Sequence, residues 1–571
     1  PSAKGPIAMT EAPHVLSRRR LLRNAAASTA ALAVGGPLLA ACGGGGDSGT
    51  DKVQAESVKL PAFAAAGTAS PTLPGDTRGL SPMFASYPAS PAASVAKPPL
   101  SGDTVTAAAN IFVQMPPARG SNPAWQAVEK ALGGTVNWTI IPASDYDTKF
   151  NTMVAGGQLP DIFQPGAKID DLPGFLASSC ADLTPHLSGE KVKKYPNLAG
   201  IPTAAWQTCT SAGKIYGIPV PRGMSGGTGF YRHDLFAKAG VADASAIKDT
   251  DQFLSLLKEL TAPSAKQWGM VTSTGTVYNM EIFARLFGTP FNWRVDAGSG
   301  KFTKAMETPE YREAVAYLVK LRKAGVFYPG SEGFTGQQRD NAFTSGKAAM
   351  QYNGLPGFSG PTGARALTKQ SVPAADVRPF VPFGAKAVDF LDNIAFSTTY
   401  LKKADDAKVE KLLGVANFMA APFGSKEYQL IYFGVAGTDY KPDAKGNPIL
   451  TAKGTSDTAV PWKYLAGPSY PIYDPTDPDG ARMVYEALKY SLPKGIMDPT
   501  TGLYSPTDGK KGLTIGQTVT DALTDIVAGR RPMGDYDKIV STWRSQGGDQ
   551  IRKEYQQAYA QAHGKGKGAA K

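Results

Sequence analysis

The chain has 571 residues, of which 42% are hydrophobic and 19% charged, and only three are cysteines. This composition excludes a wholly disordered chain, a disulfide-stabilised scaffold and a collagen-like repeat, and the length predicts more than one hydrophobic core. The formal net charge is +12, but basic and aromatic residues are not interleaved as they are on nucleic-acid binding surfaces. We therefore expect two folded lobes and no nucleic-acid partner.

Residues 1–41 have the features of a twin-arginine export signal. A cluster of arginines after Ser17 precedes a run of small apolar residues that is too short to span a membrane. The sequence LAAC that ends at Cys42 is similar to a bacterial lipobox. It predicts that Cys42 is acylated and anchors the mature chain to the outer face of the cell membrane. A plain secreted protein with a free thiol at Cys42 is the alternative.

The composition of the next segment predicts a flexible tether over residues 42–103. More than half of residues 43–103 are Gly, Ala, Pro or Ser. Such a segment buries too little apolar surface to offset an ordering entropy of about 1–2 kcal/mol per residue. Phe84 and Tyr87 are the candidates for packing on the folded part.

From residue 104 the chain alternates between strand and helix signals. Strand patterns at 104–113, 136–140 and 161–163 alternate with helix patterns at 123–132 and 145–155. This alternation predicts an α/β fold with a mostly parallel sheet and helices on its faces.

Helical spacing of apolar residues recurs further along the chain, over 253–260, 309–324 and 409–416. The closing segment, 539–559, has the same spacing on either side of Gly547-Gly548. It predicts two helices with a break between them.

Several motifs that suggest catalysis lack their required context. Residues 223–227 (GMSGG) match the pattern around a hydrolase serine, but a strand pattern follows where that motif needs a helix. Residues 298–301 (GSGK) lack the spacing of a phosphate-binding loop, and no Cys and His cluster has zinc spacing. Paired carboxylates for glycoside cleavage remain open. We expect no enzyme, no metal and no cofactor.

A set of short motifs follows one order along the chain. They are residues 156–162 (GGQLPDI), 213–219 (GKIYGIP), 231–235 (YRHDL), 346–350 (GKAAM) and 353–354 (NG). Together they resemble the extracellular solute-binding lipoproteins of bacterial ABC importers, in the sugar-binding group that includes maltose-binding protein. Residues 422–428, 432–434, 439–440 and 446–448 are similar to its large oligosaccharide-binding subgroup.

The resemblance implies a type II periplasmic-binding-protein fold, in which crossover strands join two α/β lobes around a ligand cleft. Crossings are expected near 222–229, 389–393 and 455–462. Lobe 1 would comprise residues 104–225 and 390–455, lobe 2 residues 226–389 and 456–560, and a flexible basic tail residues 561–571.

The resemblance and the chemistry of sugars together suggest where ligand contacts lie. A pyranose needs flat aromatic rings for its C–H face and amides or charged groups for its hydroxyls. The predicted ligand-binding residues are Gln114, Phe163, Gln164, Tyr278, Asn279, Tyr352, Asn353, Phe358 and Trp462.

The function implied is that of a monomeric, lipid-anchored receptor that captures an oligosaccharide and delivers it to an ABC permease. A secreted carbohydrate-active hydrolase and a sugar sensor with the same fold are the alternatives. Some family members hold a structural calcium, but prolines interrupt the cluster of Asp474, Asp477 and Asp479, so we expect a turn there. Cys180 and Cys209 are candidates for a disulfide, and two free thiols remain the alternative.

Overall fold

A computed structural model describes residues 58–563, except 66, 68, 77, 78, 167, 168, 170, 225, 226, 228, 392 and 393. The predicted signal, Cys42 and residues 564–571 of the tail lie outside the described residues. The helices are α1 Pro123–Leu132, α2 Tyr146–Ala155, α3 Leu172–Ser179, α4 Thr184–Leu187, α5 Pro196–Ala199, α6 His233–Lys238, α7 Thr250–Glu259, α8 Met280–Leu286, α9 Pro309–Lys323, α10 Gly336–Thr344, α11 Ala364–Ser371, α12 Asp406–Met419, α13 Lys426–Phe433, α14 Ala452–Asp457, α15 Pro478–Ser491, α16 Pro506–Ala528, α17 Tyr536–Trp543 and α18 Asp549–His563. The strands are β1 Thr104–Ile111, β2 Thr135–Pro142, β3 Ile162–Phe163, β4 Thr210–Ser211, β5 Lys214–Ile215, β6 Gly217–Pro221, β7 Phe230–Arg232, β8 Trp293–Val295, β9 Phe302–Lys304, β10 Met350–Gln351, β11 Val377–Pro379, β12 Asp389–Leu391, β13 Ala395–Leu401, β14 Tyr440–Pro442, β15 Pro448–Leu450 and β16 Gly495–Met497.

Lobe 1 is built on a five-stranded sheet in the order β2-β1-β3-β13-β6. β1 is parallel to β2 and β3, whereas β13 is antiparallel to β3 and β6. Three alanines in β1 (Ala107, Ala108 and Ala109) are fully buried, which lets neighbouring elements pack closely on the sheet. The parallel strands and their flanking helices confirm the predicted α/β class.

The first helix shows why the local sequence signals are reliable. The Asn122 side chain accepts a hydrogen bond from the Trp125 backbone N–H at 2.9 Å, and Pro123 occupies the first helical position. Gly133 ends the helix in the left-handed conformation. In between, Val128 and Leu132 face the core of lobe 1.

Lobe 2 surrounds a small antiparallel sheet in the order β10-β7-β11. Its largest core packs helices α7 to α9 against the C-terminal helices and contains the paired rings of Trp293 and Trp543, 5.8 Å apart. The helix after Thr308 and the break between α17 and α18 are confirmed. Gly547, with φ of 138°, forms that break.

The chain passes from lobe 1 to lobe 2 between β6 and β7 and returns between β12 and β13. The third crossing lies later than expected. Val460, Trp462 and Ala466 are buried in the core of lobe 1, whereas Ile472 packs in lobe 2. The segment from 456 to 466 therefore belongs to lobe 1, because its apolar residues complete that core.

Residues 58–103, called the strap below, pack along the protein, so the prediction of a flexible tether is wrong for them. At its start, Ala62 and Ala64 donate backbone hydrogen bonds to Gly189 and Ala199 of lobe 1, at 3.0 and 2.9 Å. At its end, Leu100 donates to the Leu132 carbonyl at 2.9 Å and is fully buried. Few apolar residues suffice because several of them, among them Met83, Tyr87 and Leu100, are almost fully buried.

The middle of the strap runs along two of the crossings. Leu80 and Met83 pack with Met224 of the first crossing, and Met83 pairs with Ile472 of the third. The Phe84 backbone N–H donates to the Ile472 carbonyl at 2.9 Å. The strap therefore contacts both lobes and the segments that join them.

The predicted packing of Phe84 and Tyr87 is confirmed. The two rings lie against Phe423, with centroids 4.2 and 5.0 Å away. The Tyr87 hydroxyl donates to the Ser425 carbonyl at 2.6 Å, and its backbone N–H donates to the Asn447 side chain at 2.9 Å. The residues that suggested the oligosaccharide-binding subgroup thus hold the strap in this protein.

Candidate ligand-binding site

A cavity of about 470 Å³ opens where the parallel strands of lobe 1 end. The loops after β1, β2 and β3 form one side, and the start of β13 forms the other. This edge is where open α/β sheets bind ligands, because the loops that follow parallel strands diverge there. The lining includes Asn110, Phe112, Tyr146, Gln164, Phe396 and Ser397. A second cavity, of about 530 Å³, lies between α2 and α3.

Polar groups in the lining have unused hydrogen-bonding capacity. Asn110 Oδ1, Gln164 Oε1 and Ser397 Oγ are buried and have no partner in the described part of the chain. Nearby, the Tyr146 hydroxyl donates to the backbone carbonyl of Gln164 at 2.6 Å. Burial raises the pKa of Tyr146 above its usual range. Buried polar groups are normally paired, so these atoms fit a ligand rich in hydroxyl groups.

Three rings, called the aromatic triad below, stand beside these groups. Phe112 lies 5.6 Å from Phe396 and 5.6 Å from Tyr464, and the latter two rings are 5.9 Å apart. Phe112 is 53% exposed, and Val113 and Met115 after it are exposed as well. An exposed apolar cluster beside a polar cavity indicates a binding surface.

Lobe 1 contains four of the residues predicted to bind ligand, Gln114, Phe163, Gln164 and Trp462, and of these only Gln164 lines the cavity. Phe163 is fully buried between Phe150 and Tyr400, so its ring offers no face to a ligand and its predicted role is wrong. Gln114 is exposed two residues beyond Phe112 and does not line the cavity.

Trp462 was also predicted to contact ligand, but it is 2% exposed and packs edge-on against Trp138 at 5.0 Å. Its neighbour Tyr464 instead belongs to the aromatic triad. Sequence patterns missed Phe112, Phe396 and Tyr464 because each lies on a separate segment. The only available signal was their position after β1, at the start of β13 and before the third crossing.

Tyr278 and Asn279 lie inside lobe 2. Val277, Tyr278 and Asn279 have φ angles of 39°, 53° and 63°, a left-handed turn that is costly for residues with side chains. The Tyr278 ring is 2% exposed and packs on Phe327 at 5.1 Å, while Asn279 Nδ2 donates to the Val271 carbonyl at 3.1 Å. The predicted contacts of these two residues with a ligand are wrong in this arrangement because both are core groups.

The three predicted ligand-binding residues after β10 differ in their burial. The Tyr352 hydroxyl donates to the Glu281 carboxylate, and Asn353 Nδ2 donates to Asp340 Oδ1 at 3.1 Å. Both side chains are half-buried and remain candidates. Phe358 is fully buried, so a contact between its ring and a ligand is excluded here.

Cys180 and Cys209 are buried free thiols. Cys180 pairs with Lys402, whereas Cys209 Sγ lies 3.6 Å from Thr398 Oγ1. The predicted disulfide is therefore wrong. Burial raises the pKa of both thiols to about 12.

The carboxylates of Asp474 and Asp477 stabilise the turn before α15. Asp474 Oδ1 accepts hydrogen bonds from Thr476 and Asp477, while Asp477 caps α15 and pairs with Arg365 at 2.6 Å. No group of three metal-ligating side chains comes together in residues 58–563 as far as they are described. The strand that follows the GMSGG motif, β7, is confirmed.

A family model for the bacterial extracellular solute-binding proteins matches residues 119–422. The chain belongs to this family. No helix in the described residues is long and apolar enough to cross a membrane.

Two relatives of this solute-binding protein come from Bacillus subtilis (strain 168). The polygalacturonan/rhamnogalacturonan-binding protein YtcQ is 23% identical, over 80% of this chain and 91% of its own. The lipoprotein LipO is 22% identical, over 77% and 89%. An extracellular solute-binding protein from Bifidobacterium longum subsp. infantis has a similar structure, with a TM-score of 0.60 and 15% identity over 81% of this chain and 98% of its own. This likeness confirms the two-lobed fold.

Proposed function

We propose that this solute-binding protein captures an oligosaccharide at the cleft face of lobe 1 and delivers it, unaltered, to an ABC permease. The aromatic triad beside unpaired amide and hydroxyl groups is the observation that supports the proposal. The name of the relative YtcQ, a polygalacturonan/rhamnogalacturonan-binding protein, agrees with it.

The geometry suits the two surfaces of a sugar. Phe112 offers an exposed ring for the C–H face of a pyranose. Asn110 and Gln164 offer carbonyl oxygens that accept hydrogen bonds from its hydroxyls. Binding needs no covalent step and no group that transfers a proton.

Lobe closure would follow from contacts that exist only in the closed form. Tyr352 and Asn353 lie after β10, whose end adjoins Phe230 at the first crossing. A sugar held on lobe 1 that also touches these residues stabilises the closed state by that difference in contact free energy.

Isothermal titration calorimetry with a panel of oligosaccharides tests the proposal. We expect micromolar or tighter binding of at least one sugar and its recovery intact after prolonged incubation. Binding to peptides instead, with no sugar bound, would refute sugar capture. A cleaved sugar would show that the protein is a hydrolase.

We further propose that Cys42 carries the lipid anchor, which the lipobox-like sequence supports. In a bacterial host that exports the full chain, the Cys42→Ser variant should leave the membrane fraction and appear in the medium. Equal membrane retention of both forms would contradict the anchor.

A further inference from the structure

Arg222 and Lys463 flank the aromatic triad, and neither has an anionic partner in the part of the chain that the structure describes. Arg222 directly follows β6, and its guanidinium lies over Phe396, 5.5 Å from the ring centroid. Among the described residues it has no carboxylate and no side-chain hydrogen bond. By contrast, Arg365, which is likewise half-buried, holds a carboxylate at 2.6 Å.

Lys463 occupies the other end of the same row. Its Nζ lies 5.5 Å from the centroid of Tyr464 and 5.9 Å from that of Tyr432. The side chain is half-buried, and no described carboxylate pairs with it. Loss of solvent around the ammonium group lowers the pKa of Lys463. A cation that is partly removed from water without a counter-ion is costly unless a ligand supplies the charge.

The order along this surface is cation, ring, ring, cation: Arg222, Phe396, Tyr464 and Lys463. Arg222 lies at the first crossing, and Lys463 lies shortly before the third. One carboxylate, Asp147, also lines the cavity, but it lies in the first turn of α2 rather than in this row. Neutral hydroxyl groups alone would leave both positive charges without a counter-charge.

We propose that the oligosaccharide bound here is acidic, with one uronic-acid carboxylate at Arg222 and a second at Lys463. This inference rests on the proposed function of sugar capture. A uronate combines the two features that the row requires, because its ring has an apolar C–H face and its carboxylate projects from the edge. Arg222 presents a planar fork of donors that matches a carboxylate, whereas Lys463 provides a compact charge.

Calorimetry with matched pairs of ligands tests the charge requirement. The probes are oligogalacturonates and alginate oligomers of three to six sugars, each paired with its fully methyl-esterified form. We expect the acid form of at least one pair to bind about tenfold or more tightly than its ester. Its affinity should also fall between about 50 and about 500 mM NaCl, while that of the ester should not.

Charge-removing variants locate the effect. Arg222→Gln and Lys463→Gln should each weaken binding of the acid form about tenfold or more and change ester binding less than about twofold. Lys463→Arg should retain most of the affinity, and Arg312→Gln, on α9 of lobe 2, should change neither ligand. Circular dichroism melts establish that each variant is folded.

The outcomes separate this inference from the function on which it rests. Equal or tighter binding of the ester or of neutral oligosaccharides would overturn the acidic ligand and leave sugar capture intact. Preference for the acid form that survives both charge-removing variants would overturn the assigned residues. Binding of no sugar, charged or neutral, would refute the proposed function and this inference together.

Discussion

On lobe 1, the ring of Phe112 is exposed and two cations, Arg222 and Lys463, hold no carboxylate among the described residues, whereas on lobe 2 Tyr352 and Asn353 are already bonded to Glu281 and Asp340. A ligand can bind lobe 1 without breaking any bond within the protein. To engage lobe 2 it must replace bonds that already exist, and the net gain is the difference between the two. Under the proposed function, this contrast predicts that lobe 1 captures the ligand first and supplies most of the affinity.

The same contrast predicts that Tyr278 of lobe 2 governs stability and not binding. Tyr278→Ala should lower the free energy of unfolding by about 3–5 kcal/mol, because it leaves a cavity in the lobe 2 core. The affinity of the folded fraction should stay unchanged. Urea unfolding and calorimetry measure the two quantities.

Tyr278→Phe is the matched control. The Tyr278 hydroxyl is buried and finds no partner in the described structure, so its removal should change stability by less than about 1 kcal/mol. A stable Tyr278→Ala variant that fails to bind sugar would show that this ring contacts the ligand and would contradict the contrast between the lobes.

Lobe 2 also contains a buried carboxylate, that of Glu307, which pairs with two arginines. The Glu307 side chain is 4% exposed and contacts Arg544 at 2.7 Å and Arg552 at 2.5 Å. Glu307→Gln should cost about 3 kcal/mol, since it leaves two arginines without their shared anion. Denaturant unfolding at neutral pH measures this loss. Glu313→Gln, an exposed change on α9, the helix that begins just after Glu307, is the control and should cost almost nothing.

The pH dependence of this pairing has a definite sign. Burial acts to raise the pKa of Glu307, but hydrogen bonds from Arg544 and the Lys304 backbone, with the charge of Arg552, outweigh it and lower the pKa below 4.5. The stability from Glu307 is therefore present above pH 4.5 and lost as the pH falls through the lowered value. A stability profile in which Glu307→Gln loses as much as the wild type over that acid range would contradict the pairing.

Phe112→Ala tests the capture face directly. Loss of the ring should weaken oligosaccharide binding by about 1–3 kcal/mol, because stacking on an exposed aromatic ring is lost. Phe63→Ala is the matched control, since Phe63 is similarly exposed, at 55%, but lies on the strap. If calorimetry finds that the two variants lose equal amounts of binding affinity, the aromatic triad is not part of the binding site.

The smallest effect is expected in lobe 2. Tyr352→Phe removes the hydroxyl that donates to Glu281 and should change affinity by less than about threefold, or about 0.7 kcal/mol. The same titration series measures it. A loss as large as that of Phe112→Ala would show that both lobes contribute equally.

Local signals in the sequence predicted the elements better than the site. Asn122, Thr308 and Gly547 act within one or two turns of the chain, so their effects on helix ends can be read without the fold. Tyr278 and Trp462 carried the right chemistry for a sugar, but their burial depends on packing from distant segments. The aromatic triad joins three separate segments, and no local pattern marks such a meeting.

The strap likewise shows that local sequence patterns do not reveal packing between distant segments. Its composition predicted disorder, and yet Met83, Phe84 and Tyr87 fill grooves that only the folded lobes create. The motifs at 422–448 resembled those of a subgroup, but nothing in them revealed that they bind a segment more than 300 positions earlier in the chain.

The attachment of the strap sets how far the protein could stand from a bilayer if Cys42 is lipidated. With Cys42 as the proposed anchor, only residues 43–57 separate the lipid from the first described contacts, a covalent reach of about 55 Å at most. A wholly free segment up to residue 103 would reach about 200 Å. If Cys42 carries the proposed lipid, this short connection would confine the protein near the membrane, raise its local concentration beside an importer and limit its search to nearby sugars.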